Sequence, residues 1–387
     1  MIEMRLSIGM NEYGVLYKLL LSNWESKRNR IAITCDGVNL TYEKFREMID
    51  TLTSNSWINN LKNRTVAMIM DNSIEFAVVL YALSKVGAVV FLVNPYFDIV
   101  VMRKLVDICK VEYVMTDRPD IWEKMIEENC MEVYQNVRLG HMRNENRSVC
   151  EYGHLIQTSS GTTGVPKISI RSDENISVDV QHICSSYQYD YDKKIYSAVP
   201  FYHGYGLTMG LISPLAAGME IVFSKIFMPN RFFLYIRKQQ IDYFLGAPNT
   251  YKVLCKYEND FWGCVNNVST YISSGSPLTK ELSKLFYNMF KIWIVETYGM
   301  MEASSIAANM TPNQKNYYCV GKPVNGVKLR ITDGYIYIQS DAISRYYITE
   351  QGIEPICLED NWFCTNDTGF VLDTGELVVN ARSKEEN

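Results

Sequence analysis

Residues 65–95, which read TVAMIMDNSIEFAVVLYALSKVGAVVFLVNP, decide the fold class. Residues 66–70 are apolar throughout, as is typical of a strand that is buried on both faces. Asn72, with a glutamate three residues later, predicts a helix start of the capping-box type, and Gly87 suits the helix end. Residues 89–93 predict the next strand. Strand, helix and strand in this order indicate a parallel sheet.

The segment 268–297 repeats this rhythm. Its helix has apolar side chains at helical spacing, which predicts a stripe facing the core, formed by Leu282, Leu285, Phe286, Met289 and Phe290. Residues 292–295 then predict a strand. We therefore expect an α/β fold with two βα subdomains whose sheets are mainly parallel.

The pattern changes after about residue 318. Residues 327–331 and 335–338 flank an Asp-Gly pair, which is a strong hairpin signal, and 370–372 and 377–379 flank a second turn. These pairs predict a smaller antiparallel β subdomain. Residues 117–150 are charged and poorly periodic, so we expect surface elements of variable order there.

Composition places the 387 residues among ordinary globular proteins and argues against several functions. The 38 basic and 43 acidic residues give a net charge of −5, which argues against a nucleic-acid partner. The longest apolar stretch, 76–92, is broken by Ser84 and Lys85, so we expect no membrane span. Ten cysteines without a CxxC pair and four histidines without metal-ligand spacing predict reduced thiols, no structural zinc and a cytoplasmic location.

A loop of small residues reads TSSGTTGVPK over 158–167, between two short apolar runs that predict strands. Small residues let backbone N–H groups approach an anion, hydroxyls add donors, and Lys167 adds a cation. The loop lacks the Gly-Lys followed by Ser or Thr of a Walker A motif, which argues against a P-loop kinase. Taken alone, it is equally compatible with a plain flexible loop.

As a whole, the loop resembles the phosphate-binding loop of the ANL superfamily of adenylate-forming enzymes. This superfamily includes acyl-CoA synthetases, luciferases and the adenylation domains of peptide synthetases. Five further segments resemble its motifs in the expected order, namely VPFYHGYGL at 199–207, SSGSPL at 273–278, ETYGMME at 296–302, TND at 365–367 and ARSK at 381–384. The chain is thus similar to the large N-terminal domain of such an enzyme.

The resemblance implies a role for each matching residue. Phosphates would be held by Thr158, Ser159, Ser160, Gly161, Thr162, Thr163, Gly164 and Lys167. The nucleoside would be bound by Ser274, Gly275, Ser276, Glu296, Thr297, Tyr298, Gly299 and Asp367, with Tyr298 on adenine and Asp367 on the ribose, and Arg382 would reach the ribose or a phosphate. Glu302 would bind Mg²⁺, and His203 would orient the acid's carboxylate or gate its pocket. With Lys167, these two residues form the implied catalytic set.

The resemblance also implies a reaction, in which ATP activates a carboxylic acid to its acyl-AMP with release of pyrophosphate. The acyl group would pass to CoA or to the phosphopantetheine thiol of an acyl or aryl carrier protein. Tyr202 and Tyr205, in a segment without carboxylates, favour an aryl or plain aliphatic acid. The alternative is a non-catalytic acyl- or nucleotide-binding module of the same fold.

Four residues depart from the family pattern. Met301 replaces a threonine whose hydroxyl contacts the α-phosphate, which also supports the binding-module alternative. Asn366 and Ala381 replace glycines, and Ile168 replaces a glycine that commonly follows the loop lysine.

The same resemblance predicts the domain organisation. We expect a large N-terminal adenylation domain over 1–380, α/β to about 317 and β-rich over 318–380, with 381–387 as the start of a hinge. The family continues beyond this hinge with a C-terminal domain of roughly 100 residues, which we expect to be missing from this sequence. Whether it was removed or is naturally absent stays open.

Overall fold

The computed structural model describes residues 13–126, 128–142, 149–159, 166–257 and 262–382, with 128–130, 262, 381 and 382 described by backbone alone. The helices are α1 (Val15–Leu21), α2 (Trp24–Lys27), α3 (Tyr42–Ser54), α4 (Ser56–Asn59), α5 (Ile74–Val86), α6 (Ile99–Ile108), α7 (Pro119–Met125), α8 (Asp173–Tyr187), α9 (Gly204–Leu207), α10 (Ser213–Ala217), α11 (Pro229–Ile236), α12 (Pro248–Leu254), α13 (Trp262–Val265) and α14 (Lys280–Phe290), with a π-helix at Thr208–Ile212. The strands are β1 (Ile31–Cys35), β2 (Val38–Thr41), β3 (Thr65–Ile69), β4 (Val89–Leu92), β5 (Tyr113–Thr116), β6 (Glu128–Tyr134), β7 (Val137–His141), β8 (Leu155–Thr158), β9 (Ile168–Arg171), β10 (Lys194–Ser197), β11 (Glu220–Phe223), β12 (Ile241–Gly246), β13 (Val268–Ser273), β14 (Val295–Met300), β15 (Ser304–Ala308), β16 (Lys322–Pro323), β17 (Lys328–Thr332), β18 (Tyr335–Gln339), β19 (Tyr346–Thr349), β20 (Gly352–Pro355), β21 (Phe363–Val371) and β22 (Leu377–Arg382).

The chain divides into two units. The first is built from Met1–Val178, Pro200–Leu207 and Ser344–Ile356. Its nine-stranded sheet has the order β20-β19-β9-β8-β4-β3-β5-β7-β6. The central strands β8, β4, β3 and β5 are parallel, and the strands outside them pair antiparallel. This is the first of the two predicted βα subdomains.

The predicted strand–helix–strand stretch is present as β3, α5 and β4, but its helix starts one residue later than expected. Ser73 is the N-cap, since its hydroxyl accepts a hydrogen bond from Phe76 N at 2.9 Å. The Asn72 side chain instead accepts from Phe201 N, 2.8 Å away, so the predicted capping role of Asn72 was wrong. Gly87 ends the helix as predicted, at a φ of 76°, which favours glycine.

The second unit is built from Asp179–Val199, Thr208–Ile343 and Cys357–Asn387. Within it, strands follow the order β16-β15-β14-β13-β12-β10-β11. Strands β11, β10, β12, β13 and β14 run parallel, and β15 and β16 continue the sheet antiparallel. This is the second predicted βα subdomain, so the predicted fold class is confirmed.

Two details of this second subdomain were predicted wrongly. Leu285 is 47% exposed, so the core-facing stripe of α14 is narrower than the sequence pattern suggested. Residues 292–294 form no strand, and β14 begins at Val295. Their apolar character serves side-chain packing instead, since Trp293 stacks on Tyr287 with ring centroids 4.1 Å apart.

A separate four-stranded antiparallel sheet has the order β17-β18-β21-β22. Both predicted hairpins, β17 with β18 and β21 with β22, are confirmed. However, β19 and β20 also lie in the β-rich part of the chain and do not join this sheet. They extend the first unit's sheet, where Tyr347 pairs with Ser169 of β9.

The region 117–150 has more order than we expected in the part that the structure describes. It contains α7 and the antiparallel pair β6 and β7, and β7 pairs with β5. Charged residues on these edge elements obscured the strand pattern. Residues 127 and 143–148 lie outside the described part of the chain.

Candidate functional site

The predicted phosphate loop connects the antiparallel strands β8 and β9 of the first unit, as expected. Ser159 N donates to Lys167 O at 2.9 Å, and Lys167 N donates to Ser159 Oγ at 3.0 Å. Thr158 is half-buried at the end of β8, whereas Lys167 is exposed. The base of the loop is therefore closed by two hydrogen bonds. The predicted phosphate-binding residues Ser160, Gly161, Thr162, Thr163 and Gly164 lie outside the described residues.

The predicted aromatic-His segment also belongs to the first unit over Pro200–Leu207. His203 directly precedes α9 and accepts a hydrogen bond from Leu207 N at its carbonyl, 2.8 Å away. The ring of Tyr202 lies 4.8 Å from the His203 ring. Burial lowers the pKa of His203, so the imidazole is uncharged near neutral pH and offers one donor and one acceptor.

One residue next to this segment was missed by the sequence analysis. Gln157 of β8 is 3% exposed, and its side chain packs against Gly204, the residue after His203. The signal was a polar amide in an otherwise apolar run just before the phosphate loop. Gln157 therefore contacts the aromatic-His segment from the strand that leads into the loop.

In the second unit, the turn predicted to face adenine is tied to β14 by two hydrogen bonds. Ser274 Oγ donates to Thr297 O at 3.1 Å, and Leu278 N donates to Glu296 Oε1 at 2.9 Å. Gly275 has a φ of 85°, which suits glycine, and Ser276 is exposed with it. The side chains of Ser274 and Glu296 thus make hydrogen bonds that shape the turn.

Thr297 is likewise used inside the fold. Its hydroxyl donates to Ala307 O at 3.0 Å and lies 2.6 Å from the Tyr187 hydroxyl. Thr297 is 6% exposed. Its side chain therefore fixes the pairing of β14 with β15.

Burial raises the pKa of Glu296 from 4.5 to about 7, the Leu278 N–H partly opposing the shift. Between pH 4.5 and 7, Glu296 therefore keeps its proton in the folded chain but loses it in the unfolded chain. The free energy of unfolding consequently falls as the pH rises through this window. We expect Glu296→Gln to stabilise the protein at pH 8 by up to about 3 kcal/mol and to have little effect at pH 4.5. Glutamine keeps the acceptor for Leu278 N without a charge.

Urea unfolding at pH 4.5 and pH 8 measures this effect. Glu281→Gln, which removes an exposed carboxylate from the first turn of α14, serves as the control variant and is measured at the same two pH values. A Glu296→Gln gain that did not grow with pH would contradict the raised pKa.

Glu302 lies in the turn between β14 and β15 and is 4% exposed. The turn is tight, since a Cβ at Gly299 would lie 2.2 Å from Ser304 O, so Gly299 admits no side chain. Met301, which stands in the place of the family's threonine, is half-buried beside Glu302. The hairpin thus holds one carboxylate in a fixed, enclosed position.

This carboxylate fits a magnesium ion that is bound together with a nucleotide. Among the described residues, no three His, Cys, Asp or Glu side chains come together as a protein-only metal site. Mg²⁺ at nucleotide sites takes one or two carboxylates and completes its shell with phosphate oxygens and water. A single enclosed glutamate is a donor set of this kind.

Two of the predicted nucleoside-binding residues meet in the second unit although 69 positions separate them. The Tyr298 hydroxyl donates to Asp367 Oδ2 at 2.5 Å. Asp367 N donates in turn to Thr365 Oγ1 at 3.2 Å. Asn366 has a φ of 58°, a conformation that asparagine adopts more readily than most residues, which explains how it replaces glycine here.

Arg382 lies directly across from Asp367 in the register of β21 and β22. Its side chain is outside the described part of the structure, so the backbone alone places it. The second unit therefore brings together Tyr298, Asp367 and the backbone of Arg382. An aromatic ring can stack on a base, a carboxylate accepts hydrogen bonds, and an arginine is a residue type that binds phosphate.

A sequence model of the AMP-binding enzyme family matches residues 21–347. The chain belongs to this family, and the predicted family resemblance is confirmed. No helix in the described ranges has both the length and the apolarity to cross a bilayer.

The chain is similar to several known proteins. A relative is 4-coumarate–CoA ligase-like 6 of Arabidopsis thaliana, 22% identical over 392 residues that cover 90% of this chain and 69% of that protein. ATP-bound MatB from Rhodopseudomonas palustris has a TM-score of 0.80 at 18% identity, over 96% of this chain and 79% of MatB. The anthranilate CoA ligase AuaEII in complex with anthranoyl-AMP has a TM-score of 0.78 at 17% identity, over 96% of this chain and 78% of its own. These structures share the fold.

Proposed function

We propose that this protein uses ATP to activate a small carboxylic acid as its acyl-AMP, for transfer to the thiol of CoA. The observation that carries the proposal is the hydrogen bond between Tyr298 and Asp367, with Arg382 across from Asp367 in the sheet register. These residues come from three of the motifs that resemble the adenylate-forming enzymes. The family membership and the CoA-ligase names of the relatives support the same activity.

In the first half-reaction, a carboxylate oxygen of the acid attacks the α-phosphorus of ATP. The bond from this phosphorus to the oxygen that bridges to the β-phosphate breaks, and pyrophosphate leaves. The protein's contribution is position and charge, because no covalent bond to a side chain is needed. In the second half-reaction, a thiol loses its proton, its sulfur attacks the acyl carbon, and AMP leaves.

Each of the predicted residues has a physical task in this reaction, in the unit to which it belongs. Lys167 supplies a cation beside the phosphate loop, and Asp367 accepts hydrogen bonds from the ribose hydroxyls while Tyr298 stacks on adenine. His203, uncharged because of its burial, donates a hydrogen bond to the acid's carboxylate. The carboxylate of Glu302 would hold Mg²⁺, which would supply positive charge to the phosphate oxygens.

The acid is proposed to be aryl or aliphatic. Tyr202 and Tyr205 are half-buried in the aromatic-His segment, and burial raises the pKa of Tyr202 to about 12, so its hydroxyl stays neutral. Among 199–207 there is no carboxylate to hold an α-ammonium group. The acceptor is proposed to be CoA, with a carrier-protein thiol as the second choice.

The direct test is ATP–pyrophosphate exchange over a panel of aryl and aliphatic acids. We expect exchange that depends on the acid and on Mg²⁺, with typical rates of about 1–10³ per second for a fully active enzyme. Calorimetry with ATP and with a non-hydrolysable acyl-AMP mimic runs in parallel. Exchange without any acid dependence would contradict the proposal.

One observation favours a second candidate, a binding module without catalysis. Met301 replaces a hydroxyl at the residue before Glu302, which removes one donor to the α-phosphate. If the chain binds ATP and the acyl-AMP mimic but no acid supports exchange, this module is the correct function.

A further inference from the structure

Gln157 is buried on the face of the first unit's sheet opposite to the face that carries one of its apolar core clusters. Its strand neighbour Ile156, and Ile168 and Ile170 of β9, belong to the core cluster. Side chains alternate between the two faces of a strand, so Gln157 and its cross-strand partner Ser169 point to the other face. Gln157 is 3% exposed and Ser169 is fully buried. Two polar side chains thus lie side by side where a strand buried on both faces normally has apolar ones.

Both polar groups lack hydrogen-bond partners within the described residues. The Gln157 Nε2 and Ser169 Oγ atoms are buried and accept or donate no hydrogen bond there. Leaving a buried donor unsatisfied costs about 1–3 kcal/mol, whereas an apolar group of the same shape is neutral or stabilising. Stability alone therefore does not explain an amide at residue 157.

The amide of Gln157 touches one particular backbone segment. A Cβ placed on Gly204 would lie 3.3 Å from Gln157 Nε2, with the rest of the amide at 3.9 Å. Gly204 follows His203 directly, and Gln157 directly precedes Thr158 of the phosphate loop. A Cβ at this distance would make the amide shift by a few tenths of an ångström, so glycine at residue 204 leaves the amide in its present place beside the residue that follows His203.

Resting on the proposed function, we propose that Gln157 is a positioning residue for the acid half of the reaction. Its amide fixes the backbone after His203, and hence the direction in which the imidazole faces the acid. It thereby couples the strand that leads into the phosphate loop to the segment that orients the carboxylate. The Ser169 hydroxyl is also buried and without a hydrogen-bond partner among the described residues, but no atom of Ser169 is among those nearest to Gly204. We therefore assign Ser169 no positioning role.

The test compares Gln157→Met with the matched control Ser169→Ala in ATP–pyrophosphate exchange. Methionine has a similar length without the polar atoms, so neither variant should lower the unfolding temperature. We expect Gln157→Met to lower kcat/KM for the acid by about tenfold, since small displacements at reacting groups are costly, and to leave the KM for ATP within about twofold. Ser169→Ala should leave both unchanged.

A double-mutant cycle separates positioning from general packing. Gly204→Ala, whose Cβ would press on the amide, should reduce kcat/KM for the acid as Gln157→Met does, and the double variant should be no worse than the poorer single one. The inference would be overturned if Gln157→Met left kcat/KM for the acid unchanged, or if Ser169→Ala lowered it equally. It would also be overturned if Gln157→Met raised the KM for ATP by the same factor, or if the losses of the two single variants simply added in the double variant. If the wild-type chain showed no acid-dependent exchange, the proposed function and this inference would both fail. If the wild type exchanges normally, the variants test the role of Gln157 alone.

Discussion

Replacing Glu302 by glutamine is expected to lower the acid-dependent exchange rate by about 10²–10³, the usual cost of losing one electrostatic element that stabilises a transition state. Glu302 is 4% exposed in the tight turn between β14 and β15, so its carboxylate is held in one place. Glutamine fits the same space but carries no charge for Mg²⁺. The loss should therefore appear in the rate while the fold is kept.

The measurement is a magnesium titration of exchange in the wild type, in Glu302→Gln and in the control Glu123→Gln. Glu123 is an exposed carboxylate of α7 and lies outside the proposed site, so its variant should exchange like the wild type. A Glu302→Gln rate within about threefold of the wild type at saturating magnesium would show that another group binds the metal.

The local parts of the fold were predictable because each depends on neighbours in sequence. The βαβ stretch at 65–95 and the hairpin of β17 and β18 follow from apolar periodicity and turn residues. The loop at 158–167 was predicted to join two strands, and β8 and β9 are those strands. In each case the deciding interactions lie within about 30 residues.

Pairings between distant parts of the chain were not predictable. Strand β19 lies within the stretch we assigned to a β-rich subdomain, but it pairs with β9, about 180 residues earlier. Residues 292–294 have the composition of a strand, yet Trp293 is used in a ring stack with Tyr287. The period of a sequence does not reveal which distant surface an apolar residue will meet.

The candidate site shows the same division. The sequence motifs suggested Tyr298 and Asp367 separately, through resemblance, but not the hydrogen bond that joins them. They also suggested Glu296 and Thr297 as nucleotide-binding residues. In the structure, the Glu296 carboxylate accepts a hydrogen bond from Leu278 N, and the Thr297 hydroxyl donates one to Ala307 O. Gln157 lies outside every motif, and only its burial and its contact with Gly204 mark it.

The second large effect is expected at Asp367, a residue that is 8% exposed and whose carboxylate accepts a hydrogen bond from the Tyr298 hydroxyl. If it also accepts both ribose hydroxyls, Asp367→Asn should weaken ATP binding by about 100-fold. Hydrogen bonds to a charged group are worth about 1.5–3 kcal/mol, and every 1.4 kcal/mol is a factor of ten. Asparagine retains an acceptor for Tyr298, so the local fold should be preserved.

Two comparisons identify the ribose as the source of this loss. Tyr298→Phe keeps the ring for adenine and removes only the hydroxyl, so ATP binding should weaken by less than about tenfold, as expected for one hydrogen bond. The decisive ligand is 2′,3′-dideoxy-ATP, which lacks both hydroxyls and should bind Asp367→Asn and the wild type with nearly equal affinity. Calorimetry on the four protein–ligand pairs gives the coupling energy between the carboxylate and the ribose hydroxyls. If Asp367→Asn weakened dideoxy-ATP as much as ATP, Asp367 would act only through Tyr298, and the ribose would have to be held by another residue.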